Sequence, residues 1–162
     1  MVAALVLAGL GGLFWFQPWK LWQDDSVHEA LPAAAPAGGG DTGRPRTLSR
    51  GEFISHEHST TGTARILRLG DGSHVLRLEG LATSNGPDLR VWLTDAPVKE
   101  GVGGWRVFDD GRHLSLGELK GNKGDQNYAL PAGVDPADYT SVAIWCDRFD
   151  VSFGAAELSR AG

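Results

Sequence analysis

From about residue 51 onward, apolar side chains recur at every second position in short bursts. Leu76 and Leu78 alternate with Arg77 and Glu79; Leu89, Val91 and Leu93 alternate with Arg90 and Trp92. Leu114 and Leu116, Tyr128 and Leu130, then Val142, Ile144 and Cys146, and finally Phe149, Val151 and Phe153 repeat the pattern. A period of two places one set of side chains on one face of a strand, so each burst reads as a half-buried strand. Turn signals separate them: Asp71-Gly72, Asn85-Gly86-Pro87, Asp110-Gly111, Gly121-Asn122 and Pro131-Ala132-Gly133. No segment in this block carries a long amphipathic helix. The expected fold is all-β, an antiparallel β-sandwich or barrel.

The N-terminal third is of another kind. Residues 2–16, VAALVLAGLGGLFWF, hold no polar side chain. Fifteen helical residues reach about 22 Å of the roughly 30 Å hydrocarbon layer. Trp15, Trp19 and Trp22 suit the membrane interface and Lys20 can snorkel to headgroups, which extends the span. No small-x-small cleavage site lies within reach, because Ala33-x-Ala35 is too far downstream, and no Cys follows for a lipid anchor. Residues 1–22 are therefore expected to be one transmembrane anchor rather than a signal peptide. Asp24, Asp25 and Glu29 beyond it favour export of the remainder. Residues 23–49, rich in Ala, Pro and Gly, offer too little apolar surface to offset ordering entropy and read as a flexible tether. Residues 50–160 are the exported β domain.

Charge and cysteine usage narrow the chemistry. Lys20, Arg44, Arg46 and Arg50 balance Asp24, Asp25, Glu29 and Asp41, so the whole net charge of −5 falls after residue 50. No basic cluster is present to neutralise phosphates, and nucleic acid is excluded as a partner. A single cysteine, Cys146, excludes an internal disulfide and haem attachment through Cys-x-x-Cys-His. No Gly-x-Ser-x-Gly elbow or His-Glu-x-x-His helix is present, so a stand-alone enzyme is not expected.

Cys146 ends the run SVAIWC, in which both strand faces are apolar, as in a central strand. It reads either as a buried small hydrophobe or as a thiol contacting a cofactor or redox partner, with Trp145 shaping its surroundings. His56 and His58 in a strand would share a face, and with Cys146 they match part of a blue-copper ligand set. No His follows Cys146 and the one Met is Met1, so the plain reading is exposed histidines at a strand end beside Glu57. Asn85-Gly86-Pro87-Asp88 is a turn whose Asp88 either caps loop amides or faces a pocket, and Asn85 tolerates positive φ. Gly121-Asn122-Lys123-Gly124 lacks the strand-to-helix setting of a phosphate loop and reads as a hairpin connection.

Four ordered stretches, GEFISHEHSTTGTARI, HVLRLEGLATSNGPDLRVWL, LGELKGNKGDQNYALP and YTSVAIWCDRFDVSFGAAEL, together resemble the DM-thirteen domain over about residues 50–159. With the apolar run before them, the chain looks like a membrane-anchored bacterial version. The resemblance implies a β-sandwich-like domain, sometimes joined to DOMON domains, with an electron-transfer role and a recurrent Cys matched by Cys146. Gly62, Asn85, Gly86, Pro87, Asp88, Gly121, Gly124 and Tyr128 match other family positions. The resulting expectation is a single-pass, cell-membrane protein whose C-terminal domain is an extracytoplasmic redox accessory module. Its candidate redox or binding residues are Cys146, Trp145, Asp88, Asn85 and His58, and its partner is a redox or cell-surface protein. The alternative is a non-catalytic ligand-binding or protein-interaction module in which Cys146 is structural. The sequence names no cofactor.

Overall fold

The computed structural model describes residues 1–32 and 44–162. Helix α1 (Val2–Phe16) buries none of its residues. Gln17 ends it in the left-handed region at φ 43°, and Pro18, which cannot continue the helix, opens a 3-10 turn over Pro18–Trp22. The helical segment Val2–Lys20 is long and apolar enough to cross a membrane, a test that a signal sequence also passes.

The rest is β structure. Its strands are β1 (Ser26–His28), β2 (Arg46–Ser55), β3 (Thr61–Arg68), β4 (His74–Ala82), β5 (Leu89–Thr94), β6 (His113–Glu118), β7 (Lys123–Ala129), β8 (Ser141–Cys146), β9 (Val151–Glu157) and β10 (Ser159–Arg160). They form one sheet in the order β1-β7-β4-β3-β2-β9-β8-β5-β6, with β10 beside β2. Every pairing is antiparallel except β1 on β7. The all-β antiparallel expectation is met by this single sheet, which curls into a half-barrel.

The curl turns on β2. Residues 46–52 pair with β3, and Phe53, Ile54 and Ser55 pair with β9. Gly51 lies at that corner, where a Cβ would come within 2.0 Å of the Glu157 carbonyl oxygen. Ile66, Leu76, Leu78, Val91, Leu93, Val142, Ile144 and Phe153 fill the inside of the curl. Each such side chain contributes roughly 1.5–3 kcal/mol on burial.

Strand β8 is buried at all six positions because the sheet is covered there on both sides. Val142, Ile144 and Cys146 enter the inner core. Ala143 and Trp145 point outward with Trp92 and Ala155, under Ala96, Val98, Val107 and Phe108 of the long β5–β6 connection.

Two expectations about the connections change. The stretch 23–49 was expected to be a flexible tether, yet Ser26–His28 is a strand on β7 and β2 already begins at Arg46. The reason lies in polar partners rather than apolar surface: Asp24 accepts from the Asn122 amide, the Asp25 N–H donates to Asn122 Oδ1, and Glu29 accepts from the Asn127 N–H of β7. The rest of that expectation, residues 33–43, lies outside the described residues. Residues 121–124 do not close a hairpin either. They cross from β6 to β7, which belong to opposite ends of the sheet order.

Candidate functional site

Cys146 is the last residue of β8, in register between Leu89 of β5 and Val151 of β9, and it is fully buried. Burial pushes its thiol up, partly offset by backbone hydrogen bonds at the turn that follows. A thiol held protonated in apolar surroundings is a poor nucleophile and a poor metal ligand. Asp88 stands at the same end of the domain, where it lines a polar cleft with Asp25, Asn85 and Asn122, and its carboxylate accepts from Arg90 Nε at 2.9 Å. Arg90 also lies 3.6 Å from Asp147, whose carboxyl is pushed up by burial and by the neighbouring Asp88 charge. Asn85 accepts from the Gly86 N–H at 2.9 Å, which is the turn chemistry expected, and donates to Asp25 at 2.8 Å.

The histidines depart from both expectations. Residues 56–58 follow β2 as a bend, so His56 and His58 do not share a strand face. His56 is 7% exposed, not an exposed strand-end residue; Nδ1 is 2.9 Å from Ser152 Oγ and Nε2 is 3.1 Å from the Lys99 carbonyl. Its ring stacks on Phe108, whereas His58 lies against Phe153 with ring centroids 3.9 Å apart. Burial lowers the pKa of both. Among the described residues, no group of three or more His, Cys, Asp or Glu is placed to hold a metal ion.

Trp145 belongs to a different constellation, on the outer face. Its indole stacks on Trp92 with centroids 4.9 Å apart and planes 22° from parallel. Trp92 carries the exposed His113 ring on its other face, at 4.4 Å and 8°. Phe108 closes the inner end, edge-on to Trp145 at 6.4 Å. The register produces this: Trp92 pairs with Ala143 and Trp145 with Arg90, which puts the two indoles on the same face as diagonal neighbours.

A small apolar cavity of about 280 Å³ lies where α1 ends, between Phe16, Pro18, Pro87, Phe149 and Phe153. Phe16 stacks on Phe149 at 5.7 Å, and Arg148 donates at 2.7 Å to the Trp15 carbonyl, one of the carbonyls that a helix end leaves free. The loops after β4 and β8 therefore face the end of the apolar helix α1.

A family model described as Electron transfer DM13 matches residues 52–158. The chain belongs to the DM13 family. No curated protein and no solved structure matches it. The DM13 match contains the inner core, Cys146 and the whole aromatic layer, and leaves α1 and β1 outside.

Within the DM13 domain, residues 121–128 build a seat for β1. Asn122 donates to the Thr83 carbonyl and to Asp24, and accepts the Asp25 N–H at 2.7 Å. Gly121 and Gly124 leave room for β1: a Cβ on Gly124 would lie 2.0 Å from the Val27 carbonyl oxygen. Tyr128 donates to Gln126 and accepts the Lys120 N–H, and burial raises its hydroxyl to about 12. Trp92, Phe108 and His113 were not among the residues singled out from the sequence. Two tryptophans at outward positions of apolar strands were the available signal, but their pairing depends on a register that the sequence does not display.

Proposed function

We propose that this DM13 chain is an electron-transfer accessory module, held at the outer face of the cytoplasmic membrane by α1, that exchanges single electrons with a redox protein. The family match over residues 52–158 carries this reading. The anchor is supported by the apolar Val2–Lys20 segment and by the packing of Phe16 and Trp15 against Phe149 and Arg148. Asp24, Asp25 and Glu29 directly after the anchor favour export of the domain.

Cys146 serves as a core residue in this proposal, since a fully buried thiol pushed up by burial cannot meet a soluble partner. Exchange with a partner takes place instead at the outer aromatic layer, where the exposed His113 lies over the buried Trp92. Asp88 and Asn85 act by fixing the loops that face the membrane.

The burial of Cys146 also favours a second reading, a non-catalytic interaction module. Square-wave voltammetry of the full-length protein in detergent separates the two. A reversible one-electron wave is the result expected of the electron-transfer module. Its absence across the accessible range overturns that reading in favour of the interaction module.

A further inference from the structure

Among the described residues, one buried side-chain polar atom has no partner. Trp92 Nε1 is shielded from solvent and makes no hydrogen bond. An unmet buried donor costs about 1–3 kcal/mol, and such an atom in an otherwise satisfied domain calls for a reason. It belongs to the indole sandwiched between Trp145 and His113.

Indole is among the most readily oxidised side chains, and oxidation makes its N–H strongly acidic. In water the radical cation sheds that proton and becomes a neutral radical open to irreversible reactions. Trp92 Nε1 has no acceptor to receive the proton. The stacked ring of Trp145 shares the positive charge, and the fully buried Phe108 and Ala143 exclude water from the inner side.

We propose that the stacked pair of Trp92 and Trp145 is a reversible one-electron carrier, kept reversible by the unpartnered Trp92 N–H. One electron leaves the shared π system for a high-potential one-electron oxidant, such as an organic or metal-centred radical, which is reduced by one. No bond breaks, and Nε1 keeps its hydrogen. A one-electron donor then restores the pair. The carrier rests on the electron-transfer reading above and gives it a place in the molecule.

The test is flash photolysis of the full-length protein with a photogenerated ruthenium(III) polypyridyl oxidant, followed by transient absorption. Trp15, Trp19 and Trp22 are replaced by Phe, so that Trp92, Trp105 and Trp145 are the remaining indoles. The expected product is the protonated indole radical cation, which absorbs at longer wavelength than the neutral radical, with full recovery when a donor is supplied. Trp92→Phe removes most of that signal, and Trp145→Phe shortens its lifetime. Both keep an aromatic ring in the core, and circular dichroism melting checks that they fold. Trp105→Phe, outside the stack, leaves the signal unchanged. A neutral radical in the parent protein, or an undiminished cation signal in Trp92→Phe, overturns the proposal. A voltammetric wave that survives in Trp92→Phe removes the carrier assignment alone, whereas a parent protein without any wave removes the electron-transfer reading itself.

Discussion

Cys146 and His56 show how position within a residue's surroundings decides its chemistry. Replacing Cys146 by Ala removes one sulfur from a filled core and is expected to cost about 1 kcal/mol or somewhat more; Ser costs more because its hydroxyl enters the core without a partner. Denaturant unfolding measures both, and a thiol reagent should label the native protein only at the rate of unfolding. Fast labelling of the folded chain contradicts the core role. His56 gives the pH dependence. Burial lowers its pKa below the ordinary 6.5, so the unfolded chain takes up a proton that the folded one refuses. Stability is then complete above the unfolded pKa and falls as pH drops below it, before the carboxylates of Asp24 and Glu29, themselves lowered by Lys123 and Lys120, begin to matter. The melting temperature should decline from pH 7 to 5, and His56→Gln should reduce that decline, the remainder coming from His58, whose pKa burial also lowers. The alternation of Val142, Ile144 and Cys146 made the burial of Cys146 legible in the sequence. The burial of His56 was not legible, because Phe108 and Lys99, which enclose it, come from a loop more than forty residues away.

At the scale of elements, β1 is the feature most exposed to test. It adds a short parallel strand to the β7 edge and brings Glu29, whose backbone carbonyl accepts from the nearly buried Arg77 and whose carboxylate pairs with Lys120. A covered edge is also one less template for aggregation. Gly124→Ala meets both a strained φ of +100° and the Val27 carbonyl, so it should displace β1. Asn122→Ala leaves the buried Thr83 carbonyl unmet and should cost about 1–3 kcal/mol. Hydrogen exchange of the β7 amides reads both, with faster exchange expected in each variant; unchanged protection contradicts the role assigned to β1. The strands themselves were legible from their period of two and their turn dipeptides. β1 was not, since Ser26, Val27 and His28 are too short a run to display an alternation, and its partners lie about a hundred positions along the chain.

The whole molecule joins an apolar helix to a half-barrel through few residues, because β1 begins at Ser26, shortly after the 3-10 turn ends at Trp22. That short link, the Phe16–Phe149 stack and Arg148 on the helix end give the domain a fixed pole towards the apolar helix. Added protease should leave a membrane-attached fragment in intact spheroplasts if the domain is exported; complete protection contradicts export, and a soluble shortened protein points to a cleaved signal. Overall architecture followed from the sequence because the half-barrel repeats one local rule in every strand. The outer aromatic layer did not, because it is made by strand register and a covering loop together. A DM13 domain that works as proposed carries one electron and gives it back. Spectroelectrochemical coulometry of the full-length protein in lipid nanodiscs measures this directly. One electron per chain should be withdrawn and returned over repeated cycles, with tryptophan fluorescence recovered each time. No charge passed, or a charge accompanied by irreversible loss of that fluorescence, contradicts that proposal.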